Sequence, residues 1–95
     1  MKILALEKEA EGVIPEQFAP HFKNEALKVW ELLKKEIVRE IYFTKEGHNA
    51  VIILECEDET EAEGLLNDLP LVKEGLISFT IIPLVPYDGF ERLFK

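Results

Sequence analysis

Residues 36–55 read Glu36-Ile37-Val38-Arg39-Glu40-Ile41-Tyr42-Phe43-Thr44-Lys45-Glu46-Gly47-His48-Asn49-Ala50-Val51-Ile52-Ile53-Leu54-Glu55, and this stretch decides the fold. From Ile37 the apolar period is two, the period of a strand. Ile37, Arg39, Ile41 and Phe43 share one parity, and Val38, Glu40 and Tyr42 share the other. Thr44 to Asn49 is polar, contains Gly47 and Asn49, and suits a hairpin connector. Ala50 to about Glu57 then reads as a second strand, rich in β-branched residues that fit a pleated surface. A hairpin of two central strands is the frame to which the flanking segments attach.

On the N-terminal side, Phe18, Phe22, Ala26, Val29 and Leu33 recur with the helical period, and Trp30 flanks them as a core residue. The spacing predicts a helix from Pro15 or Glu16 to Lys35. Pro15 suits its first turn, whereas Pro20 sits far enough in to separate or kink that turn. Before it, Lys2 to Lys8 reads as a strand whose continuous apolar run, Ile3 to Leu6, suits burial on both faces. On the C-terminal side, Asp58 followed by Glu61 resembles a capping box. Ala62, Leu65, Leu66 and Leu69 then form one side of a short helix that stops near Pro70. Gly75 breaks the chain, Leu76 to Leu84 reads as the last strand, and Pro83 and Pro86 force an extended tail. The order strand, helix, strand, strand, helix, strand predicts one α+β domain over residues 1–95. Its expected form is a ferredoxin-like βαββαβ sandwich, a four-stranded antiparallel sheet with two helices on one face.

Two helices cover one face only, yet both strand parities are largely apolar: Ile3 and Ala5 against Leu4 and Leu6, Ile52 and Leu54 against Val51 and Ile53. Burying a Val, Leu or Ile is worth roughly 1.5–3 kcal/mol, so a wet second face would forfeit much of a marginal stability. A second copy packed sheet to sheet is the economical cover, which predicts a homodimer or higher homo-oligomer closed into an α+β barrel. The tail, residues 85–95, carries Phe90, Leu93 and Phe94 and is expected to pack on the subunit interface.

Charge narrows the partners. Eleven Lys and Arg stand against 19 Asp and Glu, a net charge of −8, which argues against nucleic acid and anionic membranes. No apolar run approaches a membrane span. The single cysteine, Cys56, excludes an internal disulfide and suits a reducing cytoplasm. His21, His48 and Cys56 are too scattered for a metal set, so no metal or cofactor is expected.

The stretch Val38-Arg39-Glu40-Ile41-Tyr42, the acidic strand end at Glu55, and Leu69-Pro70-Leu71 after a Leu-rich helix resemble muconolactone isomerase and its relatives. The resemblance runs from Arg39 to Leu71 most clearly and departs from the family in the tail around Tyr87-Asp88-Gly89-Phe90 and the loop around Lys73-Glu74-Gly75. It implies a dimeric α+β barrel with ligand pockets near the sheet lumen, and cofactor-free proton transfer on a small lactone or enolisable acid. By that resemblance Glu25, Arg39 and Glu55 are site residues.

Such an isomerisation needs a base beside a carbonyl, an acid that returns the proton, and a group that stabilises the enolate. Glu25 or Glu55 would be the base, and Tyr42 or His21 would assist proton return. Arg39 would hold an anionic group, and Glu40, Ser78 and Thr80 share the parity of Tyr42 and Glu55 and would line the lumen. Each has a plainer reading. Glu55 at a strand end can be solvated or paired with Arg39. Arg39 can snorkel, pair with Glu25, or change facing through a bulge. His21, four residues before Glu25, can pair with it or only cover the helix edge. His48 reads as a solvated loop residue, and Cys56 as an inert buried thiol. The alternatives to an isomerase are a small-metabolite-binding module and an oligomerising accessory domain with a filled lumen.

Overall fold

The computed structural model describes residues 1–95. Strand β1 (Lys2–Glu9) leads to a single turn α1 (Pro15–Phe18), a 3-10 turn (Ala19–His21) and helix α2 (Phe22–Lys34). Strands β2 (Val38–Phe43) and β3 (Ala50–Glu55) form the hairpin; helix α3 (Glu59–Asn67), the single turn α4 (Pro70–Lys73) and strand β4 (Ile77–Leu84) follow. A last 3-10 segment spans Gly89–Phe94. The sheet order is β2-β3-β1-β4, antiparallel throughout. This is the ferredoxin-like α+β arrangement expected from the strand and helix order. No helix is long and apolar enough to cross a membrane.

Two prolines act differently on the elements that hold them. Pro20 lies in the 3-10 turn, so the single long helix becomes a turn, a tight 3-10 link and a 13-residue helix. Pro83 stays within β4, which the edge position of that strand permits.

Two helix ends use the same device. After α2, the Glu36 N–H donates to Leu33 O and the Ile37 N–H to Leu32 O, with Glu36 left-handed at φ 64°. After α4, the Gly75 N–H donates to Val72 O and the Leu76 N–H to Leu71 O, with Gly75 at φ 73°. Both are Schellman ends, and only the second carries the glycine that this conformation favours. At the start of α3, Asp58 Oδ1 accepts from the Glu61 N–H at 2.9 Å and Glu61 Oε1 accepts from the Glu57 N–H at 3.2 Å. The cap half of the expected capping box is therefore present, while the return bond goes to the residue before the cap instead of to the Asp58 N–H.

The core lies between sheet and helices. Ile3 and Ala5 from β1, Ile52 and Leu54 from β3, and Ala62, Leu66 and Leu69 around α3 are buried there. Simple alternation in β2 fails at one point. Val38 pairs with Leu54 and Glu40 with Ile53, leaving Arg39 as the extra residue of a bulge. Val38 consequently turns into the core at 1% exposure, and Ile41 returns to the same face. Arg39 is exposed rather than facing the helices with Ile41.

Helix α2 is seated loosely: none of its residues is buried. Phe22 and Trp30 are more than half exposed, and Lys34 Nζ stands 4.5 Å over the Trp30 ring. Trp30 is thus not the core residue that its place beside the apolar stripe predicts. The opposite face of the sheet carries Leu4, Leu6, Val51, Ile53 and Ile82, half-buried and with no helix above them. The tail stands clear of the domain. A compact chain of this length has a radius of gyration near about 12 Å; here it is 15.4 Å, with a longest dimension of 57 Å. Leu93 and Phe94 remain largely exposed.

Candidate functional site

The loose seating of α2 opens a cavity of about 780 Å³ between the helices and the helix-facing side of the sheet. Phe18, Phe22, Trp30, Phe43 and Phe79 give it aromatic walls, and Val29, Leu33, Ile41 and Ile52 are among the other apolar residues of the lining. Its size and polarity are those of small-molecule sites, which are mostly apolar with a few placed polar groups.

Four ionisable side chains line this cavity: Glu7, Glu9, Glu25 and His48. Glu25 projects from the first turn of α2 and is half-buried. Its Oε1 accepts from the Leu71 N–H at 2.9 Å. That donor belongs to α4, so one hydrogen bond ties the cavity carboxylate to the second helical layer. Burial pushes the Glu25 carboxyl above its ordinary value; the Leu71 hydrogen bond pulls it back, the Glu7 charge adds to the rise, and His21 opposes it. A carboxyl raised by desolvation is nearer to a proton donor and acceptor at neutral pH. Glu7 lies on central strand β1, where its Oε1 accepts from the Ala50 N–H at 2.9 Å. His48 occupies the β2–β3 loop at φ 54°, with its ring stacked on Phe43 at 4.0 Å between centroids.

The remaining sequence-derived candidates gather elsewhere. Glu40, Tyr42, Glu55, Ser78 and Thr80 lie on the open face of the sheet, across the strands from the cavity. The Tyr42 hydroxyl donates to Glu40 Oε1 at 2.6 Å, and that carboxylate holds the phenol above its usual value. Glu55 accepts from the Met1 ammonium at 2.8 Å, which keeps its carboxyl low, with Arg39 adding to the effect. Arg39 Nε donates to Glu36 O in the adjoining turn. His21 stands one turn before Glu25, outside the cavity lining and without a hydrogen bond to it. Cys56 is buried and its thiol is raised, chiefly by desolvation. The structure therefore separates Glu25 from Glu55 and Tyr42 by the thickness of the sheet, and leaves Arg39 at the β2 bulge outside the cavity lining. No group of three His, Cys, Asp or Glu is placed to hold a metal ion.

Glu7, Glu9, His48 and Phe43 are cavity residues that the sequence reading left out of its site. The signal for the first two was parity: Glu7 and Glu9 continue the alternation of Ile3 and Ala5, which face the helices. His48 had no comparable signal, because a loop residue has no fixed face.

No family model matches the chain, and no curated protein matches it. Among solved structures, it is similar to a 5-chloro-2-hydroxyhydroquinone dehydrochlorinase from Burkholderia phenoliruptrix AC1100, solved in complex with 2,5-dihydroxybenzoquinone. The TM-score is 0.66 at 18% identity, covering 94% of this chain and 98% of that one. The fold is shared. At that identity the likeness supports the α+β architecture implied by the resemblance to the muconolactone isomerase family, and assigns no residue a role.

Proposed function

We propose that this protein is a proton-transfer isomerase acting on a small enolisable ring compound, a lactone among them, bound in the cavity between α2 and the sheet. One observation carries the reading: Glu25 is half-buried on an apolar, aromatic-walled cavity with its carboxyl raised by that burial. Glu25 takes the proton beside the ring carbonyl and returns it at the far end of the dienolate, so bonds and charge balance within one substrate. The Leu71 N–H fixes Oε1, leaving Oε2 for the reacting proton. General acid–base catalysis of this kind contributes roughly 10²–10⁴-fold. Tyr42 and Glu55, across the sheet from the cavity, and Arg39, at the bulge outside its lining, have no part in this step. The face that Tyr42 and Glu55 share with Leu4, Leu6, Val51 and Ile53 is the proposed contact with a second copy of the chain.

The test is deuterium uptake and double-bond migration in α-angelica lactone, followed by proton NMR in heavy water. Wild-type protein accelerates both, and Glu25→Gln does not. Binding of the lactone at the cavity without any acceleration would overturn the isomerase and leave a small-molecule-binding module.

A further inference from the structure

We propose that the cavity selects ring compounds lacking a carboxylate, and that Glu7 is the specificity-determining residue. The inference rests on the proposed ligand site between α2 and the sheet, and departs from the enolisable acid that the family resemblance implies.

The charge lining the cavity is one-sided. Glu7, Glu9 and Glu25 reach it, His48 is the only basic side chain there, and no Lys or Arg does so. On the helical layer Lys28 and Lys73 both pair with Asp68, and Lys34 stands over the Trp30 ring without lining the cavity. Arg39, the residue suited to an anionic group, sits at the β2 bulge and bonds the Glu36 carbonyl. An anionic ligand would therefore enter a space facing three carboxylates, with His48, stacked on Phe43 in the β2–β3 loop, as the only basic group on the lining.

Glu7, like Glu25, is fixed by a backbone N–H, and it is the one of the two that stands on the sheet. The β1–β3 ladder ends at the Leu6–Val51 pair, so the next amide, Ala50 N–H, is free to donate to Glu7 Oε1. That bond holds the carboxylate at the cavity floor, whereas Glu9 lies at the exposed strand end. Phe79 is its lateral partner on β4 and Phe43 lies along the same face, so the charge stands among aromatic walls. An uncharged ring gains stacking there. A ring bearing a carboxylate gains the same stacking and meets Glu7.

Resorcinol and β-resorcylate are the same dihydroxylated ring without and with a carboxylate, and they form the probe pair. Affinities are read from amide shifts of Ala50 and Leu71 in proton–nitrogen correlation spectra, with Trp30 fluorescence as a second report. Resorcinol is expected to bind wild type at least about tenfold more tightly than β-resorcylate. In Glu7→Gln the amide oxygen still accepts from Ala50, so the fold is kept, and the gap should shrink because β-resorcylate binds more tightly. A gain of binding is a result that structural damage would not produce. Equal affinities on wild type, or an unchanged gap in Glu7→Gln, overturn the selectivity while the ligand site stands. Failure of both probes to perturb the cavity residues overturns the ligand site and the selectivity with it.

Discussion

Replacing Glu25 with Gln should raise the stability of this protein while abolishing its proposed activity. Burial raises the Glu25 carboxyl in the native state, so the folded protein holds that proton more tightly than the unfolded chain does. The resulting stabilisation is fully present below the unfolded carboxylate value and is lost as pH rises through the folded value. Above both values the native state must keep a charged oxygen away from water, and Gln relieves that demand. Gln also keeps the acceptor for the Leu71 N–H, whose 2.9 Å bond would be lost in an Ala variant. Because the side chain is only half-buried and solvent screens part of the effect, the net gain at about pH 8 should stay below about 1 kcal/mol, or below about 4–8 °C in Tm for a domain of this size. Thermal melts followed by circular dichroism between about pH 5 and pH 8 measure it. The difference between variant and wild type should narrow toward the acid end, while lactone isomerisation falls roughly 10²–10⁴-fold. A variant less stable than wild type at the alkaline end, or a pH-independent difference, would refute the claim that burial strains this carboxylate.

Ile53→Glu puts a charge at the middle of the open sheet face and should turn a dimer into a monomer in light-scattering chromatography; a wild type already monomeric at high concentration would sink the sheet-to-sheet contact. A stable interface buries about 800 Å² per partner, so one central charge is enough to test it. Glu36→Gly should stabilise by roughly 0.5–1 kcal/mol, since it gives the α2 end the residue that Gly75 supplies to α4; an unchanged or lower denaturant midpoint would argue against strain at φ 64°. Leu66→Ala, at 1% exposure in the core, should cost about 2–5 kcal/mol, and a loss under about 1 kcal/mol would mean α3 is not seated as described.

The fold was legible because periodicity and punctuation agree along most of the chain. The two-residue period from Ile37, the Pro15 start, the Asp58–Glu61 cap and the Gly75 break each mark an element that the structure contains. Where the reading failed, a local backbone event intervened. The bulge at Arg39 inserts one residue, and a single insertion exchanges the faces of everything on one side of it. Val38 therefore enters the core although its nominal parity partners, Glu40 and Tyr42, face outward. Trp30 was misplaced for another reason. An apolar stripe shows which way a helix faces, but not how closely it sits on the sheet.

That spacing between helix and sheet is what decided the site. Sequence logic looked for polar residues on the apolar face left open by two helices, and found Glu40, Tyr42, Glu55, Ser78 and Thr80 there. The helix-facing side, where the other parity puts the core, is not filled throughout. Pro20 breaks the helix into three segments, and α2 has no fully buried side chain, with only Val29 and Leu32 among its apolar residues packed against the core. The cavity is thus a consequence of the helix that makes it: an apolar stripe long enough to require a sheet beneath it, lifted so that its Phe, Trp and Leu side chains wall a space rather than fill one. Glu25 belongs to that space because it follows Phe22 by three residues, on the same helical face. Its neighbours Glu7 and Glu9 belong to it because their parity is that of Ile3 and Ala5. A carboxylate on an apolar helix face, with half-buried Glu7 on the strand below, is a costly placement unless the volume between them is used, and the raised Glu25 carboxyl is the physical mark of that cost.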